Sequence, residues 1–217
     1  MGSAAWMLVH LGAFALLGAV ALFGYDGSLF FWHPFCMALY LLLQLEAVLA
    51  FKGAFHANGA GAPLNERVAL HFWLQTLAAL SAAVGFGVIY YNKARFGKPH
   101  FISWHAYVGL AALAGTASAY AFGWLLDPRD NRFLRGLVGL KRLKLCYRVH
   151  GWFGALTVAT VAAACVAALW VAPSHGWAMR KFGGTDTTLR AGLTASVAVA
   201  TLLALFTPAS TAGTKDD

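Results

Sequence analysis

Four histidines, His33, His71, His105 and His150, each stand near the start of a long apolar run. Their surroundings read "FFWHPFCMAL", "RVALHFWLQ", "ISWHAYVGL" and "YRVHGWFGAL". An imidazole carries a lone pair that ligates iron, copper or zinc, and a proton that it exchanges near neutral pH. Polar side chains at membrane depth are costly, so they mark cofactor sites or proton relays. His10, His56 and His175 stand alone and are read as interfacial side chains.

The elements that must position these residues follow from composition. The chain has 217 residues, 60% apolar and 11% charged, with a mean hydropathy of +0.65. A soluble domain usually carries about a quarter charged residues. Here the apolar residues form runs of about 20, the length that crosses a bilayer as a helix. The sequence predicts an all-α membrane protein with six spans, near 5–24, 30–51, 68–91, 101–124, 145–171 and 188–207. The whole chain, 1–217, reads as one transmembrane domain with a short polar tail over 208–217. Pro63, Pro99, Pro128, Pro173 and Pro208 fall between or beyond the spans, where a missing amide donor costs least. The first span lacks a basic leader and is read as retained rather than cleaved. Cys36, Cys146 and Cys165 fit neither a disulfide framework nor a zinc site, and read as small packing residues.

Six spans put both termini on one side. That side and its loops hold ten lysines and arginines against six on the other, most of the excess between Arg129 and Arg148. The termini are therefore expected in the cytosol. Spans two and four start at the far face, and spans three and five at the cytosolic face. His33 and His105 thus form one pair at the non-cytosolic side, and His71 and His150 a second at the cytosolic side. Each pair comes from two parallel helices of a central four-helix bundle, spans two to five.

Two imidazoles on facing helices suit the two sides of a macrocycle metal. Haem iron takes imidazole readily, and two such ligands leave no position for oxygen, which fits electron transfer. Gly109 and Gly154 follow His105 and His150 by four residues, one turn on along the same helix face. Glycine there admits a flat ring close to the backbone, although glycine in membrane helices also serves helix packing. The competing reading is a haem-free transporter or proton channel with histidine relays. With ligands four to six residues inside the spans, two metals would lie about 15–20 Å apart.

The motifs "WHP" at His33, "KPHFISWH" ending at His105 and "RLKLCYRVHG" around His150, with the six-span layout, resemble the cytochrome b561 family. "GKPHFISWH" and Arg67, four residues before His71, are most similar to its ferric-reductase branch. The resemblance implies two haem b groups, with His33, His71, His105 and His150 as iron ligands. It further implies transmembrane electron transfer from cytosolic ascorbate to a ferric chelate or monodehydroascorbate, and often a homodimer in the bilayer. No nucleic-acid partner is expected. The plant-type ascorbate motif "YRVFR" is absent, so the donor site is not carried over from it. Cations near the cytosolic pair are the candidates instead: Arg67 and Lys144 first, then Arg148 and Lys141, with Tyr147 as a hydrogen-bonding group. Each of them also serves the charge bias toward the cytosol. At the other face Lys93, Arg95, Lys98 and His100 are candidates for the acceptor, with His100 as a ligand for its iron. Asp26 and Asp186 read as solvated carboxylates. Glu46 lies at membrane depth, where Gln44, Gln75 or a haem propionate are its candidate partners. Phe35, Phe72 and Trp104 are candidates to line the electron path, as well as ordinary packing residues.

Overall fold

The computed structural model describes residues 2–53, 63–127, 132–171, 175–182 and 187–208. His56 and Asp186 lie outside them, and so do the side chains of Lys141 and His175. The described residues form seven α-helices and no strand: α1 (Gly2–Gly24), α2 (Trp32–Phe51), α3 (Leu64–Arg95), α4 (Trp104–Leu125), α5 (Arg132–Trp170), α6 (His175–Lys181) and α7 (Thr188–Phe206). A 3₁₀ turn, Leu29–Phe31, leads into α2. Six of these helices are long and apolar enough to cross a membrane, all but α6. With its apolar exterior, the protein is an integral, multi-pass membrane protein. Trp73, Trp104, Trp124 and Trp152 are more than 60% exposed, and tryptophan is enriched at membrane–water boundaries.

The helices pack as two antiparallel hairpins, α2 with α3 and α4 with α5. α1 and α7 pack on each other and close one side against α2 and α5. Direct contact between α3 and α4 is sparse. The helix α2 is the centre: Leu41, Leu45, Ala47 and Leu49 are almost fully buried. Gly12 lets α1 meet α7, since a Cβ there would stand 2.7 Å from the Ser196 carbonyl oxygen. Lys52, just past α2, donates from Nζ to the carbonyls of Ala204, Leu205 and Thr207 at 2.7, 2.9 and 2.7 Å. It thereby satisfies the open carbonyl end of α7. Burial lowers the Lys52 pKa from its ordinary value.

Helix ends depart from the sequence-based boundaries for local reasons. α3 begins one turn early, behind Pro63, and ends one turn late. It closes on Gly97 (φ 59°), with Lys98 N–H on Lys93 O at 3.0 Å and Gly97 N–H on Ala94 O at 3.1 Å. That is a Schellman ending, for which glycine at the left-handed position is best suited. α4 starts at Trp104, three residues later than expected, because the Ser103 hydroxyl caps it through Ala106 N–H at 3.2 Å. α5 extends back to Arg132 through a break at Gly139 (φ 72°), and its apolar part spans Arg142–Trp170. The segment read as a loop before the sixth span holds α6.

Candidate functional site: two imidazole pairs

The structure brings the four histidines together as two pairs across the two hairpins. The ring centres of His33 and His105 are 6.2 Å apart, and those of His71 and His150 are 6.5 Å apart. Since α2 and α3 run antiparallel, the pairs stand at opposite ends of the bundle. His33 and His105 are the second residues of their helices, whereas His71 and His150 lie deeper from theirs. The starts of α3 and α5 precede the spans read from hydropathy, at 68 and 145, so these positions are not membrane depths.

Backbone carbonyls set three of the four rings. His33 Nδ1–H donates to Gly85 O at 3.0 Å, His71 Nδ1–H to Ala47 O at 2.9 Å, and His105 Nδ1–H to Ala164 O at 3.0 Å. A carbonyl only accepts, so Nδ1 carries the proton and the lone pair is on Nε2. In each case the acceptor lies on the partner helix of the same hairpin. The two hairpins thus orient their own histidines and leave Nε2 as the nitrogen available for a ligand bond. His150 differs: its buried Nδ1 has no hydrogen-bond partner among the described residues. Packing positions it instead, between the Phe122 ring, 6.0 Å away, and Gly123. A Cβ at Gly123 would come within 2.9 Å of His150 Cε1.

The acceptors follow a fixed interval. Fourteen residues separate His33 from Ala47, His71 from Gly85 and His150 from Ala164. Each of these helices carries a ligand for one pair and, about 21 Å further along its axis, an acceptor for the other. Midway between the pairs, Tyr40 and Thr116 share a short hydrogen bond that joins α2 to α4. Gln44 Nε2 adds a bond to Thr116 Oγ1 at 3.4 Å. Thr76 and Tyr120 make a second such link, 2.9 Å long, between α3 and α4.

This donor set fits a metal macrocycle. With ring centres 6.2 and 6.5 Å apart, each pair leaves room for one metal between two imidazole nitrogens, with bonds of about 2 Å. Near His105 and His150, a Cβ at Gly109 or Gly154 would meet no protein atom within 4 Å. Around His33 and His105 the protein encloses a cavity of about 600 Å³ that reaches Gly109.

Lys93, Lys98 and His100 line the same cavity. His100 stacks on Tyr90, ring centres 4.3 Å apart. Phe101 beside it takes φ 52°, a left-handed conformation that costs a bulky residue about 1–2 kcal/mol, and stacks on Phe86. Arg95 does not line the cavity; its guanidinium lies over the Phe96 ring at 4.9 Å. Asp26 lies on the cavity wall and is not simply solvated. It pairs with Lys181 at 3.3 Å and accepts from Ser28 N–H at 3.0 Å. These contacts, the Ser28 bonds foremost, hold its pKa below the ordinary value.

At the end of the bundle that holds His71 and His150, Arg67 is half-buried, one turn before His71, and its Nη1 donates to Phe51 O at 3.3 Å. Lys144 and Arg148 are exposed. The Tyr147 hydroxyl donates to Leu126 O at 3.0 Å and ties α5 to the end of α4. Among the described residues Glu46 pairs with His10 and not with Gln44 or Gln75. Its Oε1 is 2.6 Å from His10 Nδ1, so His10 is a partner within the bundle rather than an interfacial side chain. Of the proposed aromatic path, Trp104 is 74% exposed and points away from the bundle. Phe35 packs on Phe31 and Trp32, and Phe72 on Tyr120.

Fold and side chains define a multi-pass helical membrane protein with one pair of facing imidazoles toward each end of its bundle. Residues 32–129 match the family described as eukaryotic cytochrome b561. A Homo sapiens protein named probable transmembrane reductase CYB561D1 is 41% identical over 111 residues, 51% of this chain and 47% of that protein. A Bos taurus protein named transmembrane reductase CYB561D2 is 33% identical over 151 residues, 68% of this chain and 65% of that protein. The Homo sapiens protein of that second name is 32% identical over 154 residues. The alignments thus span from about half to just under two thirds of the relatives' own length. Through this segment the chain belongs to the cytochrome b561 family, whose members bind haem b.

Proposed function

We propose that this protein carries electrons across its membrane, from cytosolic ascorbate to a non-cytosolic acceptor, a ferric chelate or monodehydroascorbate. In this reading His71 and His150 hold one haem b, and His33 and His105 a second. The observation that carries it is the two imidazole pairs, with ring centres 6.2 and 6.5 Å apart and three of the four rings fixed by Nδ1–H bonds to backbone carbonyls. A haem held by two imidazoles supplies a reversible one-electron carrier with no open coordination position. The residues do the rest. Ala47, Gly85 and Ala164 fix tautomer and ring plane, which also raises the basicity of Nε2. Buried α2 excludes water between the pairs. Gly109 and Gly154 keep the backbone accessible to a flat ring.

The test is a visible spectrum with a pyridine haem assay of the purified protein. About two haems b per chain, reducible by ascorbate, support the reading. A folded, colourless protein sinks it and returns the histidines to proton-relay roles.

Arg67 and Lys144 belong to the donor face in this proposal, with Arg148, Lys141 and Tyr147 around them. Neutralising Arg67 or Lys144 removes a charge-assisted contact to an ascorbate monoanion. The ascorbate concentration for half-maximal haem reduction should rise about three- to tenfold, with the haem spectrum intact. Unchanged ascorbate dependence in both variants would leave these residues as topology signals.

His100 belongs to the acceptor face, with Lys93 and Lys98. Its imidazole, stacked on Tyr90 at the cavity wall, suits a ligand to chelated iron. His100→Ala should slow ferric-chelate reduction while ascorbate still reduces the protein normally. Protonation removes the metal-binding lone pair, so acidification should slow the wild type more than the variant. A ring that acted only by charge would give the opposite pH trend. Identical rates and pH profiles for the two proteins would exclude His100.

We further propose cytosolic termini, from the charge bias, and a single transmembrane domain that forms homodimers. Protease protection of epitope-tagged termini and the oligomeric mass in detergent test these points.

A further inference from the structure

The helix α6 enters the non-cytosolic cavity from a part of the chain that the sequence reads as a loop. Its anchoring is specific. Ala178 and the adjoining Phe182 are fully buried. The Trp177 ring packs between Phe30 and Phe182, with centres 6.0 and 5.5 Å away. Gly24 makes room for it, since a Cβ there would lie 3.1 Å from Trp177 Cζ2. Lys181 closes the arrangement through its ion pair with Asp26 in the α1–α2 connection.

That pairing has an electrostatic result. Among the described residues Asp26 is the one carboxylate on the cavity wall, and Lys181 already pairs with it. Arg180, the next residue, lines the cavity with His33, His105, Lys93, Lys98 and His100. It is exposed and has no ion pair among the described residues. Three cations therefore share this cavity without a matching anion among the described residues. A guanidinium is the side chain best suited to a carboxylate, because its planar N–H fork meets both oxygens.

We propose that Arg180 is a carboxylate-binding residue of the non-cytosolic cavity, held over it by α6. This inference rests on the electron-transfer reading above. A carboxylate reaches this position from one of two sources: an anionic acceptor such as ferric citrate, or a propionate of the bound haem. Either way Arg180 acts with Lys93 and Lys98, and the cavity favours polyanionic ligands over cationic ones. The ordered Asp26–Lys181 pair keeps Asp26 from competing for the guanidinium.

The experiment compares the full-length haem-loaded wild type with Arg180→Gln and Arg180→Glu. Binding of redox-inert gallium(III) citrate is measured by calorimetry. Reduction of ferric citrate and of the cation hexaammineruthenium(III) is measured by stopped flow, and the haem midpoints by redox titration. For an acceptor carboxylate, R180Q should weaken gallium citrate about three- to tenfold and raise the ferric citrate KM alike. Arg180→Glu should weaken both further. Hexaammineruthenium reduction should be unchanged or faster, most so in Arg180→Glu, and both midpoints should hold. For a propionate, one haem midpoint should shift in R180Q while gallium citrate binds as before. Arg180 is exposed, so both variants are expected to fold. Wild-type values for binding, kinetics and midpoints in both variants would overturn the inference and leave the electron-transfer reading standing. A wild type without haem would overturn both.

Discussion

Under the proposed orientation and ligand set, replacing His71 or His150 by alanine is expected to remove the cytosolic haem and to abolish reduction of the protein by ascorbate. Replacing His33 or His105 should leave that haem in place, still reducible, and stop delivery to the far side. Transfer across vesicles to an impermeant acceptor should fall more than about a hundredfold in all four variants. That exceeds the tenfold to hundredfold typical of losing an outer-shell partner alone. The asymmetry between pairs follows from the antiparallel hairpins, which put His71 and His150 at one end and His33 and His105 at the other. Within the cytosolic pair, His150 should be the more fragile ligand, because no carbonyl holds its Nδ1. A milder change tests this. Gly123→Val would push on His150 Cε1 and should lower haem content at the cytosolic end alone. Haem reduction by ascorbate at the wild-type rate in His71→Ala would reverse the assignment of the ends.

Leucine at Gly109 or Gly154 should have an effect of similar size by a different route. No protein atom lies within 4 Å of a Cβ built at either position. The protein without haem therefore tolerates the new side chain, and its helicity and thermal midpoint in detergent should stay near wild type. Haem content should nevertheless drop toward one per chain, lost beside His105 in Gly109→Leu and beside His150 in Gly154→Leu. Difference spectra after partial reduction identify which one is missing. Two haems in Gly109→Leu would mean that a macrocycle does not lie against this backbone face. Loss of folding before haem addition would assign the glycine to helix packing instead.

Much of this arrangement was legible in the sequence. Hydropathy locates six helices, since a bilayer imposes one length on all of them. Alternation of direction then places His33 with His105 and His71 with His150, without any knowledge of packing. The helix ends were harder. Ser103 and Gly97 shift them by up to a turn, through local hydrogen bonds that hydropathy does not register. Partners across helices were harder still. Glu46 carried a clear signal of cost, but its partner His10 stands in an apolar span whose rotation no pattern fixes. The acceptors Ala47, Gly85 and Ala164 use main-chain oxygens, which every residue possesses, so side-chain identity says nothing about them. The interval of fourteen residues, which brings a residue back to nearly the same helix face after about four turns, becomes visible only once those acceptors are known. Arg180 was hidden by a short helix in a segment rich in turn-forming residues.

The interval has a consequence for the membrane itself. Bilayers differ in thickness by several ångströms, and helical proteins respond by tilting or by deforming the lipid around them. A gap between two sites that depended on the lipid boundary would change with each membrane. Here the rungs are counted along rigid helices: the same α2 that bears His33 also bears the oxygen that aims His71, and α3 returns the arrangement through Gly85. Tilt turns the whole ladder without altering its spacing. The separation of the two pairs therefore belongs to the polypeptide and travels with it into a thick or a thin bilayer alike.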